Sequence, residues 1–304
     1  MSRLVNAMTV DVEDYFHASA FDNIVSRASW AERESRVVRN TEILLESLER
    51  AGAQATFFVL GWVAERFPDL VRDIASGGHE VASHGFHHQL IYTLTRDQFR
   101  EDVRRTKATI EDACGRAVKG YRAPSFSIVR PSLWALDVLI EEGYTYDASI
   151  FPIHHDRYGI PDAPRYPHVI DRCRRKTARA TGQSARTIFE VPPSTIRIGA
   201  GNFPIAGGGY FRLLPYAWTS WCIERANRDG QQVVFYIHPW EIDPDQPRLA
   251  AGPLTSWRHY TGIDKALGRF DRLVNDFAFS TIASTLTEGR VVPLPALAEL
   301  AHAK

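Results

Sequence analysis

The chain has 304 residues, 44% of them hydrophobic and 24% charged, the proportions of a soluble globular protein and enough for one large α/β barrel or two smaller domains. Its 36 basic and 36 acidic side chains cancel, which argues against nucleic acid or another polyanion as the main partner, because phosphate binding needs clustered cationic excess. Cys114, Cys173 and Cys222 fit no CxxC spacing, and no apolar run approaches the roughly 20 residues of a membrane span, so free thiols and a cytoplasmic location are expected. Acidic residues from Asp11 onward interrupt the start of any signal-peptide apolar region.

In chain order, short β-rich runs alternate with helical patterns. A strand is expected over Leu4–Val12, a helix near Thr41–Ala51 and a doubly covered strand over Ala55–Leu60. Pro68 opens the next helix and Gly77-Gly78 closes it. His79–His84 is the third strand, followed by an amphipathic helix from Thr95, a plausible N-cap, to Ala113, with Gly115 just past its end. Val118–Tyr121, a helix from Pro131 and Tyr144–Ser149 continue the series. The stretch Ile153–Gln183, rich in Pro, His and Arg, departs from it as an insertion or long loop. Alternation returns with Thr187–Val191, a helix near Pro215–Arg228, the strand Val233–His238 and helices around Gly262–Phe277 and toward the C-terminus. Such alternation implies a parallel sheet, open or closed into a barrel, with its active site at the C-terminal strand ends. The residues capable of chemistry do fall at those ends.

Asp11, Glu13 and Asp14 end the first strand, His84, His87 and His88 the third, Arg122 the fourth and His238 a late one. His84 and His88 have HxxxH spacing, which lets two imidazoles reach one metal if the backbone turns helically after the strand; Gly85 permits that turn. With a carboxylate from the acidic triplet they form a His₂-carboxylate set that leaves open positions for water and substrate. A second carboxylate beside the metal is the expected general base. Strand phase puts Thr9, Asp11 and Glu13 on one face. Arg122 suits pairing with the base, and His238 suits a general acid or a hydrogen-bonded core histidine. Trp240, Tyr210, Phe211 and Tyr15 are candidates for stacking on sugar faces or for core. Gly207-Gly-Gly209 suggests a tight backbone approach or mobile loop, and His154–Tyr158 lies in an insertion of the kind that lines clefts.

The ordered segments TVDVED, SHGFHH, YRAP and YIHPW resemble the motif series of the NodB-type polysaccharide deacetylases, carbohydrate esterase family 4. They are most similar to the branch associated with exosortase-linked exopolysaccharide clusters. The motifs span residues 9–240, and the chain after about 240 resembles that branch's C-terminal extension. The resemblance implies an α/β fold, a distorted (β/α) barrel with fewer than eight complete units, taking residues 1–304 as one deacetylase domain. It also implies a divalent metal, usually zinc, and an N-acetylated polysaccharide or oligosaccharide as partner; self-association is left open. Carried over residue by residue, Asp11 matches the catalytic base, His84 and His88 the metal imidazoles, Arg122 the residue that orients the base, and His238 the acid. Glu13 and Asp14 both remain candidates for the metal carboxylate, because the usual adjacent Asp-Asp pair is replaced by Asp-Val-Glu-Asp. The acid that tunes the catalytic histidine has no clean match; Asp147 and Glu190 are candidates. The implied reaction removes an acetyl group from an amino sugar, with the Ser125 backbone N–H as a candidate oxyanion donor. Metal-assisted hydrolysis of a small cyclic amide or ureide, and carbohydrate binding without turnover, are the competing readings.

Overall fold

The computed structural model describes residues 4–172 and 186–288; Cys173, residues 173–183 of the expected insertion and residues 289–304 lie outside them. The strands are β1 (Asn6–Val12), β2 (Thr56–Val59), β3 (Glu80–Ser83), β4 (Gly120–Tyr121), β5 (Tyr146–Asp147), β6 (His168–Asp171), β7 (Thr187–Glu190), β8 (Thr195–Ile198), β9 (Gly201–Pro204), β10 (Val234–Ile237) and β11 (Phe279–Ser280). The helices are α1 (Val37–Arg50), α2 (Gly61–Arg66), α3 (Pro68–Ser76), α4 (Arg96–Cys114), α5 (Ala135–Glu141), α6 (Gly208–Leu213), α7 (Tyr216–Arg228), α8 (Pro253–Tyr260), α9 (Ile263–Asp276) and α10 (Ile282–Glu288). The main sheet runs β10-β1-β2-β3-β4-β5-β7-β6, and β11 pairs with the start of β1. Every pairing is parallel except that of β6 with β7. Among the described residues the end strands β10 and β6 do not pair, so the sheet curls into a distorted, incomplete (β/α) barrel.

Alternation along β1 decides what enters the barrel. Met8, Val10 and Val12 join the large core beneath the surrounding helices. Ala7 points the other way, into a small inner cluster with Phe58, Ala82, Tyr146 and Val234, which Ile282 of α10 closes from below. Thr9 and Asp11 share that inward phase and carry it up to the C-terminal mouth.

The expected strands and long helices are present, with shifted bounds. Thr95 caps α4 in a reciprocal capping box with Gln98, and Gly115 ends it in the left-handed region at φ 66°. Three local expectations change. Pro131 falls inside a short 3₁₀ turn, Arg130–Ser132, and α5 begins only at Ala135. Part of the irregular insertion forms β6, whose buried His168 and Ile170 alternate with half-buried residues as suits a sheet edge. The β8–β9 hairpin and the short helices α2, α6 and α8, which carry weak periodicity, were not expected. At Gly207 the backbone meets Tyr236 so closely that a Cβ would lie 1.8 Å from the Tyr236 carbonyl oxygen, at φ +123°. The triple glycine is therefore a tight backbone approach against β10.

Candidate active site

The mouth of the barrel gathers side chains from β1, the loops after β3 and β4, and the turn after β10. The segment after β3 does not turn helically. It reverses through Gly85 at φ 74° and His88 at φ 50°, and both Asp102 carboxylate oxygens accept from the Phe86 amide at 3.1 Å. That turn brings the Nε2 of His88 to 2.9 Å from Glu13 Oε2. His84 presents its Nδ1 to the Arg122 carbonyl oxygen at 2.9 Å, which leaves Nε2 for the site. Glu13, His84 and His88, all buried, bring one ligand atom each to within 4.8 Å of one another.

These residues fit a divalent ion. Two imidazoles and one carboxylate, deprived of bulk water and facing one point, are the donor set of an open zinc-type site. Burial pulls the His84 pKa down to about 4, which keeps a ligand lone pair available. Burial pushes the Glu13 carboxyl up, but the adjoining His88 outweighs it and holds Glu13 well below the usual carboxylate range. Asp14 stands outside the cluster. Its Oδ2 accepts from the Ser35 hydroxyl at 2.6 Å and its Oδ1 from the Arg36 amide at 2.9 Å, tying the chain before α1 to the end of β1.

Asp11 lies beside the cluster, 2% exposed. Its Oδ1 accepts from Arg122 Nη1 at 2.6 Å. The same Nη1 donates to Thr9 Oγ1 at 2.8 Å, so the inward face of β1 anchors both partners. Arg122 is fully buried, donates from Nε to the Ala148 carbonyl at 3.2 Å and lies 4.2 Å above the Phe58 ring. Such a cation excludes water while offering its charge to one carboxylate.

His238 faces Asp11 and Glu13 from the β10 side. Its Nε2 is 3.4 Å from Glu13 Oε1 and 3.8 Å from Asp11 Oδ2. Its Nδ1 is 2.9 Å from Glu241 Oε2, and Glu241 Oε1 accepts from Arg212 Nε at 2.7 Å. Burial lowers the His238 pKa, but the hydrogen bond and charge of Glu241 more than reverse this and raise it to about 9. Neither Asp147 nor Glu190 touches His238. Asp147 accepts from the Ser149 hydroxyl at 2.5 Å and Glu190 from the Ile150 amide at 3.0 Å, as register partners on β5 and β7. The contact expected of one of them is made by Glu241. Glu241 was legible in principle: His-Pro-Trp-Glu has the spacing of a capping box opened by proline, and that turn folds Glu241 back onto His238.

A cleft of about 650 Å³ adjoins this site through Trp240, while Asp11, Glu13, His84, His88 and His238 do not line it. Ser125 and Trp240 line it, as does the stretch His155–Tyr158. Ser125 and Phe126 both take left-handed backbone angles (φ 51° and 53°), and Ser125 Oγ is 2.5 Å from Ser19 Oγ. The Trp240 indole donates to Glu13 Oε1 at 3.3 Å and stacks between His238 and His259. Tyr210 is half-buried against Phe203 and does not line the cleft. Tyr15 and Phe211 are core residues. Unanticipated from the sequence, His17 is buried behind Glu13 among Phe16, Trp30 and Trp62, and accepts the Asp14 amide at its Nδ1 at 3.0 Å.

Residues 18–146 match the polysaccharide deacetylase family model, and residues 148–287 match a domain of unknown function, DUF3473. The chain is 33% identical over 98 residues to a peptidoglycan-N-acetylglucosamine deacetylase of Bacillus cereus, covering 32% of this chain and 36% of that protein. It is 31% identical over 115 residues to a peptidoglycan deacetylase of Helicobacter pylori, covering 37% of each. The chain thus spans little more than a third of these relatives' length. A Mycobacterium smegmatis structure assigned as a polysaccharide deacetylase shares the fold, with a TM-score of 0.60 at 21% identity over 97% of this chain and 95% of that one.

Proposed function

We propose that this chain, whose residues 18–146 carry a polysaccharide-deacetylase domain, is a metal-dependent hydrolase that removes N-acetyl groups from the amino sugars of a glycan. The observation that carries the reading is the pairing of two oppositely prepared groups across one buried donor cluster: Asp11 held by Arg122, and His238 held by Glu241. Binding alone needs no such acid–base pair.

Glu13, His84 and His88 would hold the ion, zinc being the expected one. When bound, the ion supplies Lewis-acid polarisation and a water of lowered pKa. Asp11 takes the proton of the attacking water through Oδ2, because Oδ1 is occupied by Arg122. Arg122 pairs with Asp11 Oδ1 and fixes the plane of the carboxylate. His238 enters the reaction protonated, since Glu241 stabilises its imidazolium, and it gives the Nε2 proton to the departing nitrogen. An amine anion is a very poor leaving group, so that transfer is where an amide most needs help. The Ser125 amide, on a strained turn at the cleft floor, serves as an oxyanion donor. Trp240 screens Glu13 from water and offers the sugar an edge.

Metal analysis and acetate release on N-acetylglucosamine oligomers test this directly. About one divalent ion per chain is expected, with acetate released only by loaded protein and allantoin left intact. Asp11→Asn should retain metal and lose turnover. Acetate release surviving in Asp11→Asn, or metal binding surviving in both His84→Ala and His88→Ala, would overturn the assignment.

A further inference from the structure

The turn that links the two metal imidazoles is gripped by side chains that neither ligate nor react. Between His84 and His88 the chain reverses through two left-handed residues, Gly85 at φ 74° and His88 at φ 50°. Glycine enters that region freely, whereas a histidine stays there only when its surroundings over-determine the backbone. The four carbonyls of the turn all have donors. Those of Gly85 and Phe86 accept from the Gly61 and Trp62 amides at the start of α2, at 2.9 and 3.1 Å. Those of His87 and His88 accept from one guanidinium, from Arg27 Nε at 2.7 Å and Nη2 at 3.2 Å.

Asp102 of α4 takes the same turn by an amide. Its two carboxylate oxygens share the Phe86 N–H, each at 3.1 Å. Gly85 makes room for that approach, since a Cβ there would lie 3.1 Å from Asp102 Oδ1. Arg105, three residues along α4, places its guanidinium carbon 3.6 Å from the centre of the Phe86 ring. The two imidazoles differ in what steadies them. His84 has the Arg122 carbonyl at its Nδ1, whereas the buried Nδ1 of His88 has no hydrogen-bond partner among the described residues. The aim of His88 therefore comes from its backbone.

We propose that Arg27 and Asp102 are positioning residues of the metal centre, holding the turn in the one conformation that points His88 Nε2 at Glu13 and so setting how tightly the ion binds. The role rests on the metal reading above and adds to it two side chains outside the donor cluster. An imidazole on a loosened turn meets Glu13 for only part of the time, and apparent affinity falls with the fraction of chains in the competent state. Loss of a group that orients a ligand costs about 10–100-fold in metal affinity.

The test measures zinc affinity of the full chain by chelator competition, beside the melting temperature of the zinc-free protein. Arg27→Gln changes an exposed residue, so it should leave that melting temperature within about 2 °C of wild type while weakening zinc binding about tenfold. Asp102→Ala should weaken binding at least as much. Arg50→Gln, an exposed arginine of α1 bonded to Asp271, should leave zinc affinity as it is. A merely structural role would lower the melting temperature and leave Kd untouched. Unchanged zinc affinity in either folded variant would overturn the positioning role while the wild type still binds the ion. Failure of the wild type to bind zinc would overturn the metal reading and this role together. Zinc affinity that depends on both residues, without acetate release from N-acetylglucosamine oligomers, would keep the role and overturn the deacetylase reading.

Discussion

At the residue scale the site works by giving each ionisable group one committed neighbour. Glu241 commits His238: its hydrogen bond and charge hold the imidazole pKa at about 9, above the ordinary value of 6.5, so the proton is present at neutral pH and lost as pH rises through about 9. Glu241→Gln removes that support and leaves desolvation opposed only by the charges of Glu13 and Asp11. The alkaline limb of kcat against pH should then move down by at least about one unit, with kcat on amides falling about 10²-fold or more. An unmoved limb would show that another group titrates there. The two acids after Asp11 divide as sharply. Glu13→Gln should abolish metal retention, because Glu13 faces His84 and His88. Asp14→Asn should keep the metal and cost about 1–2 kcal/mol of stability, because Asp14 joins Ser35 and the Arg36 amide. Metal analysis and urea melts on the two variants separate these outcomes.

At the element scale, close backbone contacts aim the strands. Gly207 lies against β10, with its neighbour Ala206 accepting the Tyr236 amide at 2.6 Å. No side chain fits there, and φ +123° is disfavoured for any L residue. Gly207→Ala should therefore cost about 2–4 kcal/mol and lower activity through His238, which lies two residues beyond Tyr236. Gly209→Ala is the control, since the nearest atom to its Cβ would be 3.9 Å away. Denaturation midpoints and kcat of the two variants give the comparison, and equal behaviour would show that the close approach is dispensable. Turn chemistry acts in the same way at β3, where Gly85 and His88 reverse the chain and replace the expected helical turn.

At the scale of the whole molecule, the donor cluster links distant parts of the chain. Glu13 follows β1, His84 and His88 follow β3, and β2 lies between those strands in the sheet. An ion bound there joins what the unfolded chain leaves apart, so it stabilises the fold by its full binding free energy. At a hundredfold excess over Kd that is about 2.7 kcal/mol. Zinc added to stripped protein should raise the unfolding temperature by at least about 2 °C, and the rise should vanish in His84→Ala. Unchanged melting on loading the wild type would count against the site. The incomplete barrel matters here too: the cleft beside its mouth is lined by His155–Tyr158 and by Thr255, Arg258 and His259 of α8.

Much of this was legible in the amino-acid order alone. Hydrophobic alternation and helix punctuation locate the strands, and the C-terminal-end rule draws Asp11, Glu13, His84, His88, Arg122 and His238 to one mouth. Strand phase placed Thr9, Asp11 and Glu13 together because side-chain period in a strand is two residues. What the sequence could not decide were relations that depend on where a turn points. Glu13 and Asp14 are chemically alike and adjacent, so only the direction of the chain after β1 separated the one facing the imidazoles from the one facing Ser35. For Glu241 the capping-box spacing of His-Pro-Trp-Glu offers a local signal, but only the folded turn shows that its carboxylate meets the imidazole of His238. Arg27 and Asp102, 75 residues apart and carrying no motif, meet at one turn only through packing, which no local pattern encodes.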